Sequence, residues 1–304
     1  VSLAPSGQQY PIAHGQHHAV IVEVGGGIRK YSAGERPVLE PYAETGMADG
    51  AHGTPLIPWP NRLGDGRYRF DGVDHQVPLT EPAKGNAIHG LLRWRPWQAE
   101  DLRGDRVTMR TRLHPRPGYP FCLDLSIRYQ LTADGLSVTT TATNVGDHAA
   151  PYGYGQHPYL SPGPGRIDDA VLTFAAGTRI ATDPDRQLPT GTEAVTGGAY
   201  DFSSGRAIGD LEIDYAFADL ARDEAGLAWV RLGGNDGATS ELWVDETCRY
   251  VELYTGDGLR PGRRRTGLGV EPMTCPPDAF RSGDHVVRLE PGDRVTTRWG
   301  AKLT

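Results

Sequence analysis

Two segments of the chain hold residue types suited to moving protons. In Tyr152–Leu160, YGYGQHPYL, His157 has glycines and aromatics around it and Pro158 after it. Proline disfavours helix at the preceding residue, so His157 is expected on extended chain or in a turn, between aromatic walls. An imidazole in such a place can act as a general acid near neutral pH. Packing alone accounts for it equally well. In Gly267–Phe280, GLGVEPMTCPPDAF, Glu271 lies between an apolar, strand-like entry and Pro272. A carboxylate there is costly to bury unless it is paired or functional. An exposed strand-end glutamate is the plain alternative.

Three further segments offer groups that could hold a ligand. Pro55–Arg62, PLIPWPNR, sets three prolines around Trp59 and ends in Asn61 and Arg62. An aromatic face packs on C–H surfaces and a guanidinium donates to oxygens, a combination suited to a polyhydroxylated molecule. A proline-rich corner with a surface arginine is the simpler reading. Gly85–Trp97, GNAIHGLLRWRPW, carries His89 before Gly90, then two tryptophans and two arginines. Such a histidine is often a core residue beside an aromatic cluster. Gly209–Leu220, GDLEIDYAFADL, places Asp214 in an apolar setting. It could accept hydrogen bonds from hydroxyl groups, or be a helix-face or turn aspartate.

Other chemistries lack their residues. There is no HExxH, no GxSxG and no CxxC, and the glycines Gly25–Gly27 lack the Lys-Ser/Thr of a phosphate-binding loop. The three cysteines, Cys122, Cys248 and Cys275, are odd in number and far apart, which fits reduced thiols and a cytoplasmic setting. The first apolar run, Ala19–Val24, is short and contains Glu23, so neither a signal peptide nor a transmembrane span is expected. Acidic residues outnumber basic ones, 38 against 31, for a formal charge of −7. That balance disfavours polyanion binding, and the single basic run Arg260–Arg265 does not reverse it. His14, His17 and His18 form a trio that could hold a metal, though an exposed polar edge is the simpler reading.

Something must position these segments, and the rest of the chain reads as strands. His18–Val24, Arg67–Phe70 with His75–Leu79, Arg106–Leu113, Cys122–Leu131, Leu136–Thr143, Leu227–Leu232, Glu241–Val244, Arg249–Thr255, Val286–Glu290 and Arg294–Trp299 are β-rich. Asp-Gly dipeptides at Asp49, Asp65, Asp71, Asp134, Asp236 and Asp257 mark tight turns between them. With 40 glycines and 24 prolines the chain is too punctuated for a helical bundle. Helix candidates are few, and the best of them, Gly209–Leu220, is weak. These signals predict an all-β fold, a large antiparallel sandwich or barrel, as a single domain over residues 1–304.

Taken in order, NR, DG, AIHGLLRW, GQHPYL, IDYAF and GLGVEPMTCPPDAF resemble the aldose 1-epimerase (galactose mutarotase) family from about Pro55 to near the C-terminus. The resemblance implies a β-supersandwich and the interconversion of α and β anomers of a free aldose. Residue by residue, His157 matches the family's general acid and Glu271 its general base. Arg62, His89 and Asp214 match its sugar-binding positions. Trp59 and Trp94 are candidate platforms for the pyranose face. The chemistry implied needs no metal and no cofactor, a small sugar is the expected partner, and neither nucleic acid nor membrane is implied. A monomer and a homodimer fit equally.

The chain departs from the best-known galactose mutarotase pattern. His157-Pro158-Tyr159-Leu160 replaces a histidine followed by an aromatic pair and Asn-Leu. Gly90-Leu91-Leu92 follows His89 where a second glycine is usual. The chain therefore resembles a divergent bacterial subgroup, and the sugar it prefers stays open. A hexose-6-phosphate 1-epimerase on the same fold is the nearest alternative, with Arg93, Arg95 or Arg263–Arg265 available for a phosphate. A non-catalytic carbohydrate-binding protein is another. A glycosidase or lyase ranks last, because glycosidases usually need two carboxylates about the bond.

Overall fold

Alternation of apolar and polar residues makes the long strands. In Leu123–Thr132 the odd-numbered side chains, among them Ile127, Tyr129 and Leu131, are fully buried, while the even-numbered ones reach outward. Its hairpin partner, Gly135–Asn144, turns at Asp134-Gly135 and pairs from Thr132–Gly135 to Leu123–Asn144. The C-terminal strand Arg294–Leu303 then pairs with Gly135–Asn144 on one side and Thr239–Val244 on the other.

The computed structural model describes residues 3–304, and its two main sheets hold nine and twelve strands. The ladders are antiparallel. The nine-stranded sheet is centred on Gly135–Asn144 and Arg294–Leu303. The twelve-stranded sheet runs from the hairpin Gln9–His14/His17–Val22 through Tyr159–Leu160, Leu268–Met273, Tyr250–Tyr254 and Asp214–Leu220. The sheets pack face to face over one apolar core that includes Ile21, Tyr31, Ile127, Val138, Val270 and Trp299. This is the expected sandwich. No helix among the described residues is long and apolar enough to cross a membrane.

Two sequence expectations need correction. Gly209–Leu220 is not a helix: Asp214–Leu220 is a strand between Ala176–Thr182 and Tyr250–Tyr254. Tyr215 and Phe217 favour strand, and pairing on both sides overrides the weak helical pattern. The hairpin after Phe70 also closes earlier than expected, on Val73–Gln76, because Asp71-Gly72 supplies the two-residue turn itself.

Candidate active site

The period of two that builds the core also builds a cavity on the opposite face of the twelve-stranded sheet. Leu268 and Val270 enter the core, so Gly269 and Glu271 face the other way. Register then sets Glu271 opposite Glu252, and Gly269 opposite both Tyr254 and Tyr159. One strand further, Asp214 lies opposite Tyr254. Loops cover this face, and between loops and sheet is a cavity of about 250 Å³. It is lined by Arg62, Glu81, His89, Arg93, Trp94, His157, Asp214, Tyr254 and Glu271, among others. That volume lies just under the roughly 300–1,000 Å³ of drug-sized ligand pockets.

His157 reaches the cavity because its neighbour is locked. Gln156 is fully buried, and its amide meets four partners. Its nitrogen donates to the Gly53 carbonyl and the Tyr129 hydroxyl, and its oxygen accepts from Tyr154 and Trp299. This network spans the two sheets and fixes the register of the segment. The His157 backbone is held as well, donating to the Thr54 carbonyl and accepting from Gly53 N–H. The imidazole Nε2 then lies 3.1 Å from Glu271 Oε1. Both side chains are almost wholly buried.

Electrostatics push the two groups in opposite directions. Burial drives the His157 pKa down to about 3, with His52 and Arg93 adding to the effect. Burial also drives the Glu271 pKa well above the ordinary carboxylate range, and Asp214 raises it further against Arg62 and Arg93. The fully charged imidazolium–carboxylate pair is therefore disfavoured by the site's own dryness. Taken alone, the pair keeps its one proton on the Glu271 side, unlike the charged imidazole expected from the resemblance. A single transfer across 3.1 Å converts one arrangement into the other, and such a pair titrates as a unit.

Arg62 lies in a small two-stranded antiparallel ladder of the covering loops, and His89 directly follows it. Arg62–Gly64 pairs with Asn86–Ile88, setting Arg62 opposite Ile88. Arg62 donates to both Glu81 oxygens, at 2.9 and 3.2 Å, and lies 3.8 Å from Asp214. This bidentate grip aims the guanidinium. Asn61 N–H donates to His89 Nδ1 at 3.2 Å, and His89 N–H donates back to the Asn61 carbonyl. Burial pushes His89 well below its ordinary pKa, reinforced by Arg93, His157 and Arg62. With Nδ1 accepting, the neutral ring carries its proton on Nε2 and is a donor.

His89, His157 and Glu271 bring ligand-type atoms within 4.8 Å of one another. The bonding of His89 argues against a metal there, because its free nitrogen carries the proton and Asn61 occupies the other. The trio suits the oxygens of a polar ligand better than a cation.

Gly90 makes the His89 corner feasible. Its φ is +67°, and a Cβ there would lie 2.0 Å from the Ile57 carbonyl oxygen. That carbonyl already accepts from Leu91 N–H at 2.7 Å. Gly90→Ala is expected to cost about 2–4 kcal/mol, read as a shift in the urea midpoint, and to displace His89 from the cavity wall.

Six of the seven expected site residues converge: Arg62, His89, Trp94, His157, Asp214 and Glu271 line the one cavity. Trp59 does not. It is 2% exposed and packs on Phe280, because the prolines around it fold the loop inward. Trp94, 49% exposed, lies on the cavity rim, where a ring face could pack. The basic cluster is also not a phosphate site. Arg263 faces Glu40, Asp49 and His52, and Arg265 pairs with Asp168 and Asp257. Arg95 lines a separate groove beside Trp97 and Arg112. Glu81, Glu252, Tyr254 and His52 were not anticipated. Each sits in an ordinary turn or strand pattern that carries no local signal of a site.

The profile of the aldose 1-epimerase family matches residues 8–300, and the chain belongs to that family. It is 36% identical over 288 residues to YihR, an uncharacterized protein of Escherichia coli (strain K12), covering 94% of this chain and 90% of that one. The fold is shared with the GalM/aldose epimerase homologue from C. elegans, at a TM-score of 0.84 and 19% identity, over 98% of each chain. It is shared also with galactose 1-epimerase from Lactobacillus acidophilus NCFM, at a TM-score of 0.80 and 19% identity, over 96% of this chain and 92% of that one.

Proposed function

We propose that the protein is a mutarotase that interconverts the α and β anomers of a free aldohexose such as glucose or galactose. The observation that carries the reading is the buried His157–Glu271 pair, 3.1 Å apart, on the wall of a monosaccharide-sized cavity. Glu271 as carboxylate removes the proton from the anomeric hydroxyl. His157, protonated, donates to the ring oxygen as the C1–O5 bond breaks. The open-chain aldehyde rotates about C1–C2. His157 then takes back the proton from O5 as it attacks C1, and Glu271 returns its proton to the new anomeric oxygen.

The charges nearby suit these roles. Arg62 and Arg93 favour the ionised Glu271 against its burial. His89 donates through Nε2 to a sugar oxygen, and Arg62 and Asp214 offer a donor and an acceptor for the remaining hydroxyls. The test is polarimetry of freshly dissolved α-D-glucose and α-D-galactose in a buffer that catalyses mutarotation poorly. Acceleration with either supports the reading, and their ratio begins to name the substrate. No acceleration from folded protein would favour a carbohydrate-binding role.

One observation keeps a phosphosugar in the comparison. Arg93 lines the cavity, donates to the Ile88 carbonyl at 3.2 Å, and has no carboxylate within 4.0 Å among the described residues. It is the one arginine of those considered for a phosphate that reaches the site. For a phosphosugar epimerase, glucose 6-phosphate should outrun glucose, and Arg93→Met should abolish that preference. For a free-sugar mutarotase, glucose should be the better substrate and inorganic phosphate should not compete.

A further inference from the structure

His157 lacks the hydrogen bond that usually orients a catalytic histidine. Its Nδ1 is buried and has no hydrogen-bond partner among the described residues. Something else must keep the ring's Nε2 turned to Glu271. The Tyr159 ring lies against it, with centroids 4.9 Å apart and planes 17° apart. We infer that Tyr159 is the positioning residue for His157, fixing the imidazole by ring stacking in place of a hydrogen bond to Nδ1. The inference rests on the acid–base reading of that site.

Tyr159 is itself well held. Its hydroxyl donates to the Gly50 carbonyl at 2.9 Å, and its backbone pairs with Gly269. Gly269 lies beneath the stack: a Cβ there would sit 3.1 Å from Tyr254 Cβ and 3.4 Å from His157 Cε1. His52 lies nearly parallel to Tyr159, with centroids 4.5 Å apart at 3°. The tautomer of His52 follows from its partners. Arg263 can only donate, so Nδ1 accepts at 2.8 Å, and Nε2 donates to the Glu40 carbonyl at 2.5 Å. His52 is thus a neutral, doubly anchored slab beside the phenol.

The stack serves the chemistry as well as the geometry. The groups facing His157 are Glu271, His89, Arg93, His52 and Tyr254. Arg93 opposes a positive imidazolium, and burial opposes it more strongly. The negative π-face of a phenol favours one. Tyr159 therefore keeps the acid form of His157 within reach during turnover.

The experiment compares Tyr159→Phe, Tyr159→Leu and Tyr159→Met by two readouts. Imidazole ¹⁵N signals of His157, identified by their loss in His157→Asn, report ring order without needing activity. They are expected to stay sharp in the Phe variant and to broaden or double in the Leu and Met variants. In polarimetry, kcat should fall about tenfold in Leu and Met with KM nearly unchanged, while Phe keeps the wild-type rate. Unchanged ¹⁵N signals in folded Leu or Met variants would overturn the inference. So would a Phe variant as impaired as Leu, since the hydroxyl bond to Gly50 would then be what matters. If the wild-type protein accelerates no sugar, the functional reading fails, and the ¹⁵N comparison still decides whether Tyr159 orders the ring.

Discussion

Glu271→Gln should lower the catalysed mutarotation rate by about 10²–10⁴, the usual scale for losing a positioned acid or base, and leave the protein folded. The amide is nearly isosteric and cannot accept the anomeric proton. Stability should move the other way, and the sign follows from linkage. The folded-state pKa of Glu271 is raised well above its ordinary value of 4.5, chiefly by burial. Between those two values the native state holds a proton that the unfolded chain has lost. The carboxyl's favourable contribution is full below pH 4.5 and is lost as pH rises through the folded value. The Gln variant carries no such group. Urea denaturation at acid and at neutral pH should therefore show the variant gaining on wild type as pH rises. A variant that is folded and keeps near wild-type activity would remove Glu271 as the base. One that loses stability relative to wild type as pH rises would contradict the buried, proton-holding state of Glu271.

The expected gain has a functional meaning. Strands built for packing alone would not place Glu271 opposite Glu252 and within reach of Asp214. Glu252 is buried too, and its pKa is also pushed well up, by burial and by its acidic neighbours. Arg62, gripped by Glu81, is the main counterweight. Crowding carboxyls around one guanidinium costs stability, and it keeps a proton available in a dry cavity.

This arrangement was only partly legible in the sequence. Arg106–Leu113 is a strand over the expected residues, and the hairpin about Asp134-Gly135 differs from expectation by a residue at its ends, because alternation there is clean. Pro55–Leu56 and Gly155–Gln156 are too short to carry a period, yet they set the backbone beside His157. Leu268–Met273 is buried on both faces, so its alternation is hidden. His157 and Glu271 stood out because histidine and glutamate beside proline in apolar runs are locally unusual. Glu81 lies in a stretch with no distinctive pattern, and Tyr254 in the β-rich run Arg249–Thr255. Only the fold brings them to the cavity. Trp59 shows the converse: an aromatic beside a binding arginine is as ready to fill the core as to meet a ligand.

His157→Asn is expected to cost at least about two orders of magnitude in kcat, since asparagine cannot deliver a proton to the ring oxygen. The pH profile should change as well. A pair that works with one shared proton is inactive when both groups are protonated and again when neither is, so wild type should show a bell. With His157 gone, Glu271 alone titrates, and the residual rate should rise with pH to a plateau. The more searching test is the double variant. If the 3.1 Å contact makes the two groups one proton-transfer unit, His157→Asn with Glu271→Gln should be no slower than the worse single variant. Additive losses would mean that the groups act independently, and the shared-proton account would fall even with both roles intact. Full activity in His157→Asn would go further and pass the acid's role to another donor, with the His89 imidazole, 5.4 Å from it between ring centroids, the group to test.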